Sequence, residues 1–316
     1  MNTAIRNHLY RHVNTLAGLI GPRVLSNPVS IKATTGYIER QWREMGFDVR
    51  HETFDAMGDT ASNLFVEIPG KKNSNQVVIL GAHYDTVLQT PGADDNASAV
   101  ATMLEVSRLL IGTHCQRTIR LIAFACEEPP YFNCNSMGSQ HHALGCRTRQ
   151  EDIIGMLCLE MVGYYSNEMV QRIPPSIPKW LHWLFPRRAN FLAAVGNMNS
   201  ISLAWSFRRG FKARVNFPLF SICLPASVSE IQLSDNRAFW DQQYPALMLT
   251  DTSFLRNPHY HQPTDLPDTL DYTAMAQVTL GVAEAVRRLA RVSRRKTMTE
   301  LSVDSIPQNF AGEGAV

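Results

Sequence analysis

Five stretches of this chain carry side chains able to hold a metal ion, in the order histidine, aspartate, paired glutamates, glutamate, histidine. The first, Gly-Ala-His-Tyr-Asp-Thr at 81–86, contains His83 and Asp85 and leads into Gly-Ala-Asp-Asp-Asn-Ala-Ser at 92–98. Glu127-Glu128, Glu160 and His259-Tyr260-His261 follow. Imidazole nitrogen and carboxylate oxygen are ligands that suit zinc and similar divalent cations. Each piece alone has an ordinary reading: a histidine after a strand is commonly structural, Asp94-Asp95 reads as a turn and helix cap, and Glu127-Glu128 as surface charge. Taken together they bring like charges close, which calls for cations to neutralise them. The joint pattern points to a two-metal hydrolase site.

Such residues need a scaffold. The run at 77–80 is continuously apolar, as a strand buried on both faces is, and the mostly apolar stretches at 119–125 and 153–159 read as two more buried strands. Each ends in potential ligands, His83, Glu127-Glu128 and Glu160 respectively, and in α/β sheets function gathers at the carboxyl ends of strands. Further strands are expected at 47–54, 64–68, 190–195 and 246–250. Helices are expected at 5–20, where Ile5, Leu9, Val13, Leu16 and Ile20 recur at three- and four-residue steps, and at 96–110 and 200–209. Two more run from Ser30 as N-cap to Gly46, and from Asp271 as N-cap to about 292. The Pro- and aromatic-rich segment around 165–189 reads as an insertion or lid, with its Trp180 to Phe185 cluster as a lid wall rather than a membrane or partner contact. The expected fold is an α/β single-domain three-layer sandwich over 1–292, with a mixed, mostly parallel central sheet flanked by helices. Residues 293–316 have little periodicity and are expected to form a flexible tail.

The bulk properties exclude several classes. Of 316 residues, 45% are hydrophobic and 18% charged, as in ordinary globular proteins, and a net charge of +2 gives no field suited to nucleic acid. No apolar run approaches the roughly 18 residues of a membrane-spanning helix. The N-terminus lacks a signal-peptide core. The six cysteines form no C-x-x-C pair, so reduced thiols and a cytoplasmic location are expected. His141-His142 read as surface residues, since adjacent residues on a helix would not share a face to hold a ligand.

The motifs at 81–86 and 92–98, with Glu-Glu-Pro-Pro-Tyr-Phe at 127–132, Leu-Glu-Met-Val-Gly-Tyr at 159–164 and His-Tyr-His-Gln-Pro-Thr-Asp at 259–265, resemble the M28 family of zinc metallopeptidases, which includes bacterial leucyl aminopeptidases. The resemblance covers most of residues 10–290. It implies two zinc ions per chain, a zinc-exopeptidase-like fold and peptide substrates. His83 and Glu160 would hold one zinc, Glu128 and His261 the other, and Asp95 would bridge them. Asp95 is preferred to Asp94 because it supplies the family's Asp-x-x-Ser spacing, and His261 to His259 because it begins His-x-x-x-Asp. Glu127 would be the general base for a metal-activated water, and Asp85 would orient His83. The family also suggests a cis peptide at Asp95-Asn96.

The chain departs from the family pattern at Glu160, where many relatives have Asp, and at Asn236 in Ser234-Asp235-Asn236, where relatives often have His. Cys126, beside Glu127, reads as a buried thiol. Two alternatives to the aminopeptidase remain: a single-zinc glutaminyl cyclase-like acyltransferase using Asp95, Glu128 and His261, and a non-catalytic binding module on the same fold.

Overall fold

The computed structural model describes residues 2–292. The tail expected at 293–316 lies outside the described residues. Eight strands form one sheet: β1 (Arg50–Ala56), β2 (Asp59–Ile68), β3 (Asn73–His83), β4 (Arg117–Phe124), β5 (Asp152–Glu160), β6 (Leu192–Asn197), β7 (Leu219–Leu224) and β8 (Ala246–Thr250). Their order across the sheet is β1-β2-β4-β3-β5-β8-β6-β7. The β4-β3-β5-β8 core is parallel, whereas β1, β2 and the β6–β8 pairing run antiparallel.

Period-two alternation explains why the central strands read as predominantly apolar runs. Val78, Leu80 and Ala82 of β3 enter one core, while Val77 and Ile79 enter the other. In β4, Leu121 and Ala123 oppose Ile122 and Phe124 in the same way. One layer contains α1 (Asn2–Val13), α2 (Pro28–Glu44), α3 (Ala99–Leu110), α5 (Ile201–Lys212) and α7 (Tyr272–Leu289). The other contains α4 (Gly138–Thr148) and α6 (Asn236–Asp241). Each layer buries an apolar helix face against a strand face.

The chain leaves β3 to form β4 on one side and returns to form β5 on the other. This reversal opens a crevice beyond the carboxyl end of β3, where α/β proteins place their ligands. The sheet therefore brings three expected strand ends to one place.

Local details differ from the sequence expectation for identifiable reasons. The α2 cap is Asn27, not Ser30: its side chain accepts from the Ser30 backbone N–H, and Pro28 begins the helix. The Asp271 side chain caps α7 by accepting from Thr273 and Ala274. Gly46 ends α2 at φ +85°, a conformation glycine adopts without a Cβ penalty. The helix expected over 5–20 narrows to α1, followed by a wider turn over 14–20. Helix α4 was not expected from its polar, glycine-containing sequence, nor β7 from its half-buried edge residues.

His142 corrects the expectation of a surface pair. It is fully buried, with Nδ1 2.8 Å from Glu52 Oε2 and Nε2 3.2 Å from Arg120 Nη1. His141 faces outward, its ring stacked on Phe54. Adjacent helical residues do lie on different faces, but α4 turns one of those faces inward. Among the described residues no helix is long and apolar enough to cross a membrane.

Candidate metal centre

His83 is the last residue of β3 and Glu160 the last of β5. Glu127 and Glu128 follow the end of β4, and His261 lies in the loop between β8 and α7. Asp95 sits in an irregular turn before α3, at φ −103° and ψ 88°, and the Asp95–Asn96 peptide is cis. At Gly92, φ is +63° and a Cβ would collide with the Asp95 carbonyl, so this turn requires glycine.

The donors gather as two triads around one carboxylate. His83 Nε2 lies 3.3 Å from Glu160 Oε2 and 3.5 Å from Asp95 Oδ1. His261 Nε2 lies 3.2 Å from Asp95 Oδ2 and 3.5 Å from Glu128 Oε2. The two oxygens of Asp95 thus face different histidines. Ligands of a tetrahedral zinc at about 2.0–2.1 Å stand roughly 3.3 Å apart, so both triads have the spacing of a shared cation. His83, Glu127 and Glu128 also come close enough to form a third grouping. There Glu127 Oε2 is 3.9 Å from His83 Nε2, the longest of these separations, and Glu127 faces the same space as the triads.

The buried atoms that lack partners fit the same conclusion. His83 Nε2, Asp95 Oδ1 and Glu128 Oε1 are buried without hydrogen-bond partners, and natural proteins rarely leave such atoms unpaired. They converge as a nitrogen and oxygen donor set suited to a divalent metal.

The charge balance is strained in the same direction. Burial, then the nearby Asp95 charge, pushes Glu128 up to about 8, partly opposed by His261. Burial raises Glu127 well above the carboxylate range; His83 opposes the shift, while Glu128 and Glu160 add to it. Burial would lower His83, but the charges of Glu160 and Glu127 outweigh it and hold its pKa well above the usual value. Likewise His261 rises to about 10, because the pull of Asp95 and Glu128 exceeds the cost of burial. Bound cations would relieve this competition for protons.

The role expected for Asp85 needs correction in one respect. The Nδ1 of His83 makes its hydrogen bond to the Asp85 backbone carbonyl at 3.2 Å, while the Asp85 carboxylate stands 3.6 Å away. That carboxylate accepts the backbone N–H groups of Glu127 at 3.1 Å and Glu128 at 3.0 Å. Asp85 therefore fixes the glutamate pair directly. A proton on Nδ1, donated to the carbonyl, leaves the Nε2 lone pair facing Asp95 and Glu160.

Several further residues hold the ligands in position. Asp265 accepts the backbone N–H groups of Asp94 and Asp95 at 2.9 and 3.1 Å. Asn96 spans to β5, donating to the Leu159 carbonyl and accepting from the Met161 N–H, which ties Asp95 to Glu160. Arg23, 1% exposed, donates to five carbonyls: Leu16, Gly21, Tyr84, Pro91 and Gly92. It clamps both ends of the loop between His83 and Asp95. Burial pulls its guanidinium down to about 10, against the opposing charges of Asp265 and Asp95.

Ser234 answers the question raised by the longer side chain of Glu160. Its hydroxyl donates to Glu160 Oε2 at 2.7 Å, fixing the oxygen that faces His83. Ser234→Ala is expected to weaken zinc binding about 10–100-fold, the usual cost of losing a partner behind a ligand. Chelator competition on the purified protein measures it; unchanged affinity would mean that Glu160 holds its own position. Asn236, by contrast, is buried, donates to the Ile231 carbonyl and does not line the cavity described next. Ile231, which it supports, does line that cavity. Cys126 is buried as expected, and burial pushes its thiol pKa up.

A cavity of about 260 Å³ opens onto Asp95, Glu127, Glu128, Glu160 and His261. Its far wall is apolar, including Phe191, Phe220, Ile222, Ile231 and Met248. Tyr260 lines it too, its ring stacked on His261 at 3.7 Å between centroids. Burial and the charges of Asp95 and Glu128 keep its hydroxyl protonated. His259 instead meets Thr264, Nδ1 to Oγ1 at 2.9 Å, and joins neither triad.

Comparison with known proteins shows which family and fold the chain is similar to. The profile of Peptidase family M28 matches residues 63–286. YfbL of Escherichia coli (strain K12), described as an uncharacterized protein, is 33% identical over 282 residues, covering 87% of this chain and 85% of YfbL. Leucine aminopeptidase 1 of Metarhizium robertsii is 24% identical over 69% of this chain, which spans only 53% of that protein. Among solved structures, the zinc aminopeptidase BSAP of Bacillus subtilis superposes with a TM-score of 0.73 over 92% of this chain and 96% of its own, at 17% identity. A glutaminyl cyclase from Fimbriiglobus ruber superposes with a TM-score of 0.63 over 89% of this chain and 94% of its own, at 18% identity. Both structures share the fold.

Proposed function

The chain belongs to peptidase family M28, and on that premise we propose that it is a two-zinc aminopeptidase that removes N-terminal residues from peptides. The observation that carries this reading is Asp95, whose two carboxylate oxygens face two separate histidine–glutamate pairs. His83, Glu160 and Asp95 would hold one ion, and Glu128, His261 and Asp95 the other. Zinc bound there would polarise a carbonyl and lower the pKa of a bound water towards roughly 7.

The remaining work falls to the chain itself. Glu127 takes the proton of the attacking water and returns it to the leaving amine. Asp85 holds Glu127 and Glu128 at the required backbone position through two N–H bonds. The hydroxyl of Tyr260, held protonated over the site, donates to the substrate carbonyl oxygen. A free N-terminal ammonium is drawn to the surrounding carboxylates. The side chain of the first residue enters the apolar cavity, so leucine, methionine and phenylalanine are favoured there over charged residues.

Two observations rank this above a single-zinc cyclase. A cyclase site of Asp95, Glu128 and His261 would leave His83 Nε2 buried and idle, and would give Glu160 no use. A non-catalytic module would have no need of a filled donor set. Residues 2–292 form the catalytic domain in this reading, and Gln171, Arg172, Pro174, Phe185 and Pro186 of the 165–189 segment supply part of the cavity wall. A cytoplasmic location fits the six unpaired cysteines. The test is release of N-terminal residues from a short-peptide library. Apolar first residues are expected to be released fastest, with activity lost to chelators and restored by zinc. Zinc-loaded protein that releases no N-terminal residue from any library member would refute the proposal.

A further inference from the structure

The segment between β5 and β6 presents a face to solvent that peptide hydrolysis does not use. Trp180 is 74% exposed, Trp183 73%, Val170 75% and Leu184 48%. Trp180 and Trp183 lie three residues apart in a short 3-10 helix, Lys179–Leu184, where positions i and i+3 eclipse and share a side. A β-bridge pairs Val170 with Arg188, which brings this part of the segment beside the Arg187-Arg188 pair.

The segment is also basic. Lys179, Arg187 and Arg188 are exposed and make no ion pair among the described residues. Within 165–189 the only acidic residue is Glu168. The segment is nevertheless held in place. The Ser176 hydroxyl donates to Glu230 Oε2 at 2.7 Å, and the Phe185 ring packs 5.3 Å from Phe220. The tryptophans are therefore exposed on an anchored segment, and an exposed apolar cluster of this kind marks an interaction surface.

We propose that this face docks the protein peripherally on an anionic membrane surface. Tryptophan settles at the boundary between headgroups and acyl chains, with its ring in the apolar layer and its N–H in the wet one. Unpaired lysine and arginine beside it are attracted to acidic headgroups. Charge argues against a second copy as the occupant, because a two-fold contact would set the same cations against one another. Phe185 and Pro186, from the same segment, line the cavity on its inner side. Docking would therefore place the cavity wall next to the lipid surface and bring peptides partitioned there close to the site. This departs from the sequence expectation that the tryptophan cluster is a lid wall alone.

The test is co-sedimentation of the full, zinc-loaded chain with vesicles of phosphatidylcholine alone or mixed with phosphatidylglycerol. Binding is expected only to the anionic vesicles, with a blue shift of tryptophan emission and loss at high salt. Trp180→Ala with Trp183→Ala should abolish the emission shift. Arg187→Glu with Arg188→Glu should weaken binding at least 25-fold, from about fivefold for each cation lost near the surface. None of these four side chains lines the cavity, so both variants should keep their circular dichroism and peptide hydrolysis, which excludes misfolding as the cause. Absence of binding to anionic vesicles at low salt would overturn the proposal. So would equal binding by the arginine variant, or a concentration-dependent dimer that the tryptophan variant loses.

Discussion

Glu127→Gln is expected to lower kcat for peptide hydrolysis by about 10²–10⁴-fold while leaving the zinc content unchanged. The substitution keeps shape and volume but removes the group that accepts and returns the proton. Glu127 is expected to hold zinc less directly than its neighbours, since its Oε2 lies 3.9 Å from His83 Nε2 while the triad contacts lie at 3.2–3.5 Å. Its backbone N–H donates to Asp85, so the glutamine should sit where the glutamate does. A base acts only when ionised, and burial raises the Glu127 pKa, so hydrolysis should decline as pH falls through that pKa. Bound cations shift the decline to lower pH by favouring the carboxylate. The variant should lose this acid limb. Metal analysis and a pH–rate profile on one sample check all three statements; full activity in the variant would remove Glu127 from the mechanism.

Asp95→Asn is expected to do comparable damage by a different route. The wild-type carboxylate turns one oxygen toward His83 and the other toward His261. An amide has only one oxygen, and its NH₂ group cannot bind a cation. One site should keep an oxygen donor while the other loses it. Bound zinc should fall from two per chain to one or fewer, with a loss of roughly 10²–10³-fold in kcat/KM, the equivalent of about 3–4 kcal/mol of charge stabilisation. The amide also removes a negative charge next to Glu128, so the carboxyl of Glu128 should ionise more easily. Retention of two tightly bound zinc ions would show that Asp95 is not shared.

The comparison between Glu127 and Asp95 also shows why part of the site was legible in the sequence and part was not. His83, Glu127, Glu128 and Glu160 stand at or just after the ends of parallel strands buried on both faces, and predominantly apolar runs announce such strands without an alignment. The choice of His261 over His259 came from the family resemblance, whose ligand begins a His-x-x-x-Asp element, and the fold brings His261 to Asp95 while His259 turns to Thr264. The supporting contacts left no such trace. Ser234 reaches Glu160, and Arg23 reaches Gly92, across long stretches of chain. The Asp85 carboxylate bonds backbone N–H groups, which every residue except proline carries, so no residue type could have signalled it. His142 was misjudged because α4 lacks a clear apolar stripe, although its inner face meets Glu52 and Arg120.

Peptidase and cyclase share a fold at this level of similarity, so the number of metal ions that catalysis needs separates them most directly. Metal-free chain should be titrated with zinc while N-terminal residue release and pyroglutamate formation from N-terminal glutamine are followed on the same sample. The expected result is hydrolysis that rises until two zinc ions are bound per chain, with no pyroglutamate formed. Pyroglutamate formation that saturates at one zinc ion, without release of N-terminal residues, would contradict it.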